Sequence, residues 1–162
     1  MSDGLSERIQ RLEDEREITR QLYAYGQCID YGAKDAFVAI FTADAVLTYS
    51  WDTANTVVDS GRAAPLRYEG TEAIREFVLG HTSAPDVYHK HMLMEPTVEV
   101  DGDRATALSY FSRFDRSRNG PLVSSFGCYR DLFVRCPDGR WRIRERRAEV
   151  EARVPADQTS VL

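Results

Sequence analysis

The sequence lacks most of the features that mark secreted or membrane proteins. Its 162 residues include three cysteines, Cys28, Cys128 and Cys136, and no CxxC spacing, which argues against a disulfide scaffold and for a reducing compartment. No apolar run reaches the roughly 18 residues of a membrane-spanning helix. The polar residues 1–17 contain no apolar segment of a secretory signal. We therefore expect a cytoplasmic protein with no membrane partner.

The chain also has fewer positively charged than negatively charged residues. The chain has 21 Lys and Arg against 26 Asp and Glu, a net charge of −5, and a net-acidic small domain is a poor general ligand for nucleic acid. Hydrophobic residues make up 43% and charged residues 29%, which is ordinary for a globular domain. The length predicts a single domain over residues 1–162, with a core at about 5–150 and a tail at 151–162.

Hydrophobic periodicity in the first half predicts helices. Apolar side chains recur at three- and four-residue steps and form one stripe on a helix over residues 5–30: Leu5, Ile9, Leu12, Ile18, Leu22, Tyr25 and Ile29. A short helix is expected over 34–41, and a third helix begins with Thr71 as its N-cap. Residues 45–51 alternate as a strand does, and the polar, mixed segment 52–68 predicts a loop or an irregular hairpin.

The second half of the chain has the pattern of a strand meander. Strands are expected over 87–100, 106–114, 122–136 and 141–150. Tight turns are expected at 101–103 (DGD) and 137–139 (PDG). Helices followed by a meander predict an α+β fold, in which the helices pack on one face of a curved antiparallel sheet.

Histidine is scarce, and two of the three histidines form the pattern HxH. His89 and His91 would point to the same face of a strand, either into a pocket or as ordinary partly buried side chains. Asp30 stands at the C-terminal end of the first helix, where a carboxylate is unfavourable by roughly 0.3–1 kcal/mol. Such a residue is either exposed before a turn or compensated by a partner such as an imidazolium. A carboxylate bound to one ring nitrogen makes the other nitrogen a competent base.

A metal site is the alternative use of the histidines. The spacing HxHxxxE of His89, His91 and Glu95 is similar to the first half of the cupin motif. Ser83 stands where that motif has glycine, and no histidine follows His91 to supply the second half. We therefore expect no metal ligand among the site residues and no cofactor.

Tyrosine and arginine supply the remaining polar candidates. Tyrosine hydroxyls could donate hydrogen bonds to a ligand, although most aromatic side chains at such spacings serve packing. The last predicted strand carries several arginines, which form either a solvated face or, for Arg144 and Arg146, a pair that points opposite to Trp141 and Ile143.

Five segments together resemble the SnoaL-like branch of the NTF2-like superfamily. They are YGQCID at 25–30, FTADA at 41–45, YEGTEAI at 68–74, the stretch from His91 through VEVDGD at 98–103, and GRWRI at 139–143. The resemblance extends over about residues 5–150. It implies a cone-shaped α+β barrel, in which a curved sheet wraps a long helix around a deep pocket, with two shorter helices beside it.

Within that superfamily the pattern is most similar to scytalone dehydratase, hexachlorocyclohexane dehydrochlorinase and bile-acid 7α-dehydratase. Those enzymes use an Asp–His dyad, and the matching positions here are Asp30 and His91. The resemblance places Tyr25, Tyr49 and Arg146 at substrate-binding positions, and Tyr110 and Tyr129 are further candidates. Scytalone dehydratase has a second pocket histidine on a later strand, which this chain lacks.

The resemblance implies a cofactor-free lyase of the dehydratase kind, or an isomerase or cyclase, with His91 as general base and Asp30 orienting it. The expected substrate is a small hydrophobic ring compound such as a steroid, a polyketide or an aromatic. A homo-oligomer, either a trimer or a dimer, is also implied. Two alternatives remain: a non-catalytic ligand-binding domain or small subunit of a ring-hydroxylating dioxygenase, and the HxHxxxE metal site.

Overall fold

Apart from the short strand β2, helices and strands follow one another in the order that the sequence predicts. The computed structural model describes residues 2–51 and 65–154. The helices are α1 (Ser2–Asp30), α2 (Lys34–Ala39) and α3 (Gly70–Leu79). The strands are β1 (Phe41–Trp51), β2 (Leu66–Glu69), β3 (His89–Asp101), β4 (Arg104–Ser117), β5 (Gly120–Arg135) and β6 (Trp141–Arg153). In the described residues, no helix is both long and apolar enough to span a bilayer.

The six strands form one curved sheet in the order β2-β1-β6-β5-β4-β3, which confirms the α+β class. In the described part of the chain the sheet does not close, because β2 and β3 remain at its edges. Four of the pairings are antiparallel, as expected, but β1 runs parallel to β6. A parallel pair needs a long crossover, and here the crossover consists of everything between β1 and β6.

Helix α1 packs against the sheet from Asp14 onward, where the Asp14 carboxylate accepts a hydrogen bond from the Trp141 indole. Ile18, Leu22 and Ile29 are at most 1% exposed, whereas Leu5 and Leu12 are about 60% exposed (59% and 64%). The predicted apolar stripe therefore has the right period, but its first turns extend beyond the sheet. The aromatic side chains Phe37, Phe133 and Trp141 fill the core beside the buried half of the helix.

Several element boundaries differ from the sequence predictions. Helix α3 begins at Gly70, and Thr71 donates its hydroxyl to the Ala43 carbonyl (3.2 Å) instead of capping the helix. Strand β1 begins at Phe41, four residues earlier than predicted, because Phe41 pairs with Ile143 of β6. Strand β6 continues to Arg153, so the expected tail starts inside the sheet. Of the predicted loop or hairpin over 52–68, residues 66–68 belong to β2, and 52–64 lie outside the described residues.

Helix α1 comes very close to strand β3 at Gly26. A Cβ atom at this position would lie 2.7 Å from the backbone carbonyl oxygen of His91 and 3.3 Å from its Cβ. Because the obstacle is backbone, neither element can adjust by a change of rotamer. Glycine at this position therefore sets the distance between α1 and β3, and with it the distance between Asp30 and His91.

We expect Gly26→Ala to lower the free energy of unfolding by about 1–3 kcal/mol, as overpacking of a close contact does. The matched control is Gly4→Ala in the same helix, where an added Cβ meets no atom within 4 Å. This control should be neutral or stabilising by up to about 1 kcal/mol, because alanine is the better helix former. Urea denaturation followed by circular dichroism measures both. Equal effects of the two substitutions would contradict the close-contact argument.

Candidate active site

A cavity of about 320 Å³ lies between the concave face of the sheet and helix α3. Its walls are largely aromatic: Tyr49 and Trp51 from β1, Phe77 from α3, Phe111 from β4 and Tyr129 from β5. His81 and His91 also line the cavity, together with Arg113 and Arg153. An apolar cleft with a few polar groups and a volume of roughly 300–1,000 Å³ is typical of small-molecule sites.

Asp30 and His91 are in direct contact beside this cavity. The His91 Nδ1 atom lies 2.6 Å from Asp30 Oδ1, and the His91 backbone N–H donates to Asp30 Oδ2 at 3.0 Å. Because an ionised carboxylate only accepts hydrogen bonds, Nδ1 is the donor, and in the neutral ring Nε2 is the nitrogen with the lone pair. The structure thus brings together the two residues of the expected dyad, and the ring nitrogen that does not contact Asp30 is left for a base.

The environment of Asp30 favours its ionised form. Burial alone would raise the pKa of this carboxyl group, but the hydrogen bonds and charge of His91, with a smaller contribution from His89, hold the pKa below its ordinary value. The unfavourable position of the Asp30 carboxylate at the C-terminal end of a helix is thus compensated by an imidazole, that of His91. An ionised Asp30 is what a neighbouring imidazolium needs for stabilisation.

His89 also contacts Asp30, which the sequence analysis did not anticipate. Its ring is fully buried, and its Nε2 atom lies 3.5 Å from Asp30 Oδ1. Burial, followed by the positive charge of Arg113, lowers the pKa of His89 to about 4, so the ring is uncharged near neutral pH and the contact is not an ion pair. Neither ring nitrogen has a hydrogen-bond partner within the described residues.

His81 supplies a second cavity histidine from the turn that follows α3. Its Nδ1–H donates to the Thr82 carbonyl at 2.7 Å, which leaves Nε2 as an acceptor. The ring centroid lies 5.6 Å from that of His91 and 5.0 Å from that of His89. Burial lowers the pKa of His81 to about 4. The signal that the sequence carried for this residue is its separation of four positions, about one helical turn, from Phe77. Although α3 ends at Leu79, the two rings stay close, with centroids 6.1 Å apart.

Two tyrosine hydroxyls form a pair at the base of the cavity. The hydroxyl oxygens of Tyr25 and Tyr49 are 2.5 Å apart. Tyr49 and Tyr129 line the cavity, whereas Tyr25 is buried behind Tyr49. Burial raises the pKa of all three phenols, so each keeps its proton and can donate. In the pair, one hydroxyl donates its proton to the other oxygen, and the proton of the second hydroxyl remains available for a hydrogen bond to a ligand.

Arg146 was predicted to bind substrate, but in the structure it does not line the cavity, and a role in binding stays a prediction. The guanidinium is fully buried and makes two hydrogen bonds to Asp131, at 2.7 and 2.8 Å. It lies 4.1 Å from the ring centroid of Tyr25 and 4.4 Å from that of Tyr129. A bulge causes this placement, because Leu132 pairs with Glu145 whereas Phe133 pairs with Ile143. The extra residue puts Arg146 on the same inward face as Ile143.

Tyr110, another predicted substrate-binding residue, also lies outside the cavity. Its side chain is 50% exposed, whereas its neighbours Ser109 and Phe111 are buried. Strand alternation therefore directs Tyr110 to the convex face of the sheet, away from the cavity.

Glu95 does not join the histidines in the HxHxxxE arrangement. It is exposed and has a positive φ of 48°, in an irregular stretch of β3 between Met94 and Thr97. The irregularity breaks the strand alternation that would have kept Glu95 in register with His91. The carboxylate that lies beside His89 and His91 is instead that of Asp30, and the donor atoms of these three residues lie within 4.8 Å of one another.

Comparisons with known proteins identify the fold. Residues 10–147 match the family model of the SnoaL-like domain. An NTF2-like protein with a cystatin-like fold from Novosphingobium aromaticivorans has a TM-score of 0.72 and 25% identity, over 96% of this chain and 93% of that chain. A comparison with curated proteins gives no significant match.

Two other solved structures from Novosphingobium aromaticivorans are similar. A scytalone dehydratase-like protein has a TM-score of 0.67 and 19% identity, over 93% of this chain and 88% of that chain. The beta subunit of a candidate aromatic-ring-hydroxylating dioxygenase has a TM-score of 0.72 and 18% identity, over 95% of this chain and 99% of that chain. At these identities the likeness shows the fold alone, and the chemistry has to be argued from the site.

Proposed function

The chain belongs to the SnoaL-like domain family of the NTF2-like superfamily, and from this membership and the site geometry we propose a cofactor-free lyase or isomerase. Its substrate would be a hydrophobic ring compound with an acidic C–H next to a carbonyl group. The observation that carries the proposal is the hydrogen bond between Asp30 and His91 beside an aromatic cavity. A steroid, polyketide or aromatic ring fits the aromatic walls.

In the proposed reaction, His91 Nε2 removes the proton from carbon. Asp30 holds the ring by its Nδ1–H and stabilises the imidazolium that forms. Negative charge then develops on the substrate carbonyl oxygen, where the Tyr49 hydroxyl can donate if it accepts its own hydrogen bond from Tyr25. For a substrate with a hydroxyl one carbon further on, the His91 imidazolium returns its proton to that oxygen as the C–O bond breaks, and water leaves.

His81 would help to orient a hydroxylated substrate. Its Nε2 atom is an acceptor, because Nδ1 is engaged with Thr82, and its uncharged ring suits a cavity with aromatic walls. A substrate hydroxyl that donates to His81 would lie near His91, because the two rings are neighbours. Isomerisation, or closure of a ring by an aldol-type addition, would use the same base and the same tyrosine pair.

The test of the proposal is deuterium exchange in D₂O across a panel of cyclic ketones, with and without a hydroxyl at the β carbon. Exchange at the α carbon reports the base even where no group can leave, and dehydration of the hydroxylated members reports the lyase. We expect enzyme-dependent exchange that saturates with substrate concentration. A panel in which ligands bind the cavity without any exchange would refute the base.

The alternative function is a non-catalytic subunit, such as the small subunit of a ring-hydroxylating dioxygenase. The observation in its favour is an exposed group on the convex face of the sheet, the outer patch, which consists of Met92, Met94, Tyr110 and Phe126, each 41–50% exposed. Cross-strand pairing makes the patch continuous, because Met94 faces Tyr110, and Met92 and Phe126 both pair with Ser112. Deuterium exchange catalysed by this chain without any partner protein would argue against this alternative.

We propose that a second copy of the chain covers the outer patch, in the dimer or trimer that the family resemblance implies. The purified protein is then expected to have a mass two or three times 18.4 kDa by light scattering, and Tyr110→Glu is expected to lower it to that of the monomer. Deuterium exchange should change little in this variant if the cavity stays intact, because Tyr110 points away from it. A monomeric wild-type protein would contradict the expectation.

The compartment is proposed from the cysteines. Cys28, Cys128 and Cys136 are all free thiols in the described part of the chain, which suits a reducing environment such as the cytoplasm. Of the three, Cys128 is buried, and burial is the main cause that raises the pKa of its thiol to about 12. It is therefore a poor nucleophile, and the proposed chemistry assigns it no role.

A further inference from the structure

The carboxylate and imidazole groups around Asp30 are spaced as metal ligands are. Asp30 Oδ1 lies 2.6 Å from His91 Nδ1 and 3.5 Å from His89 Nε2, and the donor atoms of all three residues lie within 4.8 Å of one another. Ligands with bonds of about 2.0–2.2 Å to one ion stand roughly 3–3.5 Å apart. The three side chains therefore need only small adjustments to bind one cation.

His89 is the observation that distinguishes this cluster from a simple dyad. Both of its ring nitrogens are buried and lack a hydrogen-bond partner in the residues that the structure describes. A buried polar atom without a partner is costly, and it calls for an explanation such as an ion or an ordered water. A general base oriented by Asp30 requires only His91, so the dyad leaves the placement of His89 unexplained.

We propose that Asp30, His89 and His91 bind a divalent transition-metal ion, and that the bound ion blocks the base. Two imidazoles and one carboxylate form a set that suits Zn²⁺, Co²⁺ or Ni²⁺, whereas Mg²⁺ and Ca²⁺ prefer oxygen ligands. The binding claim does not depend on the proposed function, because it concerns only the three side chains. The blocking claim does depend on it.

The bound ion would block the base because it changes which nitrogen of His91 carries the ring proton. In the dyad this proton is on Nδ1, facing Asp30, and Nε2 has the lone pair that takes a substrate proton. A metal ion between Asp30 and the ring uses the Nδ1 lone pair, so the ring proton must move to Nε2. No proton is gained or lost by the ring, but the nitrogen that faces the substrate changes from acceptor to donor. The ion would therefore inhibit proton abstraction while leaving the cavity walls in place.

The experiment is a metal titration of protein that has been treated with EDTA and desalted. Calorimetry with Zn²⁺, and the visible absorption of Co²⁺, should show one site per chain, and Mg²⁺ should give no heat of binding. His89→Phe keeps a buried ring and removes both nitrogens, and Asp30→Asn removes the charge. We expect Zn²⁺ affinity to fall by about 100-fold or more in each, because loss of even an outer partner costs about 10–100-fold.

The matched control is Glu95→Gln, which removes the third ligand of the sequence motif but is exposed on β3. Its affinity for Zn²⁺ should equal that of the wild type. Thermal melting verifies that each variant is folded, and added Zn²⁺ should raise the Tm of the wild type but not that of His89→Phe. Absence of saturable binding, binding that survives His89→Phe, or binding lost in Glu95→Gln would each overturn the site.

The deuterium-exchange assay separates this inference from the proposed function. Exchange in EDTA that is suppressed by stoichiometric Zn²⁺ supports both. Zn²⁺ binding by a protein that never exchanges supports the metal site and refutes the base. Exchange that continues at saturating Zn²⁺ refutes the blocking mechanism, because the same His91 nitrogen would have to be free in the metal-bound protein.

Discussion

Replacement of His91 by glutamine is expected to lower the kcat of proton abstraction by about 10²–10⁴-fold. The glutamine amide can still accept a substrate contact, but it cannot take a proton from carbon. Dissociation constants for ring compounds should change by less than a few fold, because aromatic side chains such as Tyr49, Trp51 and Phe77 supply most of the wall and His91 is one lining residue among many. Deuterium exchange and equilibrium binding on the same preparation measure the two quantities.

The control for this prediction is Lys90→Ala, the adjacent residue of β3. Its ammonium lies 4.2 Å from the centroid of the Tyr31 ring, outside the cavity, so both quantities should match the wild type. Asp30→Asn should resemble His91→Gln, because an amide cannot stabilise the imidazolium and can hold the wrong tautomer. A His91→Gln protein that retains wild-type kcat would show that another group is the base.

Replacement of Arg146 by methionine is expected to lower the free energy of unfolding by about 3–5 kcal/mol, the usual cost of breaking a buried ion pair from one side. The substitution leaves the Asp131 carboxylate buried without its two hydrogen bonds. It also removes a cation that lies over the rings of Tyr25 and Tyr129. Urea denaturation gives the free energy, with Asp131→Asn as the reciprocal variant.

Two further variants show where the effect of Arg146→Met originates. Arg147→Met alters the next residue of β6, whose side chain is 67% exposed, and should change stability by no more than about 0.5 kcal/mol. The double variant Arg146→Met with Asp131→Leu removes both charges and should recover much of the loss. If Arg146→Met instead left stability intact and only raised KM, the substrate-binding role drawn from the family resemblance would be right.

The candidate dyad could be located from the sequence because it depends on local positions. Asp30 is at the end of a helix with an apolar stripe, and His91 is on a predicted strand, so each element followed from short-range patterns, whereas the face of the strand that meets the pocket stayed open. The resemblance then supplied the pairing between them, which no periodicity contains. Gly26, which permits that pairing by its lack of a side chain, carried no visible signal, because a glycine in a helix has several possible reasons.

The features that the sequence did not reveal depend on long-range pairing. The parallel arrangement of β1 and β6 follows from how two distant strands meet, and alternation within either strand does not specify it. A single bulge residue in β6 reverses the parity of the residues from Arg146 to Val150, which is why Arg146 is buried beside Asp131. The exposure of Leu5 and Leu12 depends on how far the sheet extends, which the helical period does not specify.

The position of β1, between the edge strand β2 and β6, also bears on synthesis at the ribosome. Strand β1 is made early, but its parallel neighbour β6 is the last strand of the sheet to be translated. Until Trp141 and Ile143 arrive, the apolar faces of α1 and β1 lack a large part of their cover. The nascent chain thus exposes hydrophobic surface for most of its elongation, and chaperones bind chains with such exposed surface. Stable folding of this domain is therefore expected only after β6 has been translated, because the ligand cavity is completed when β6 joins the sheet.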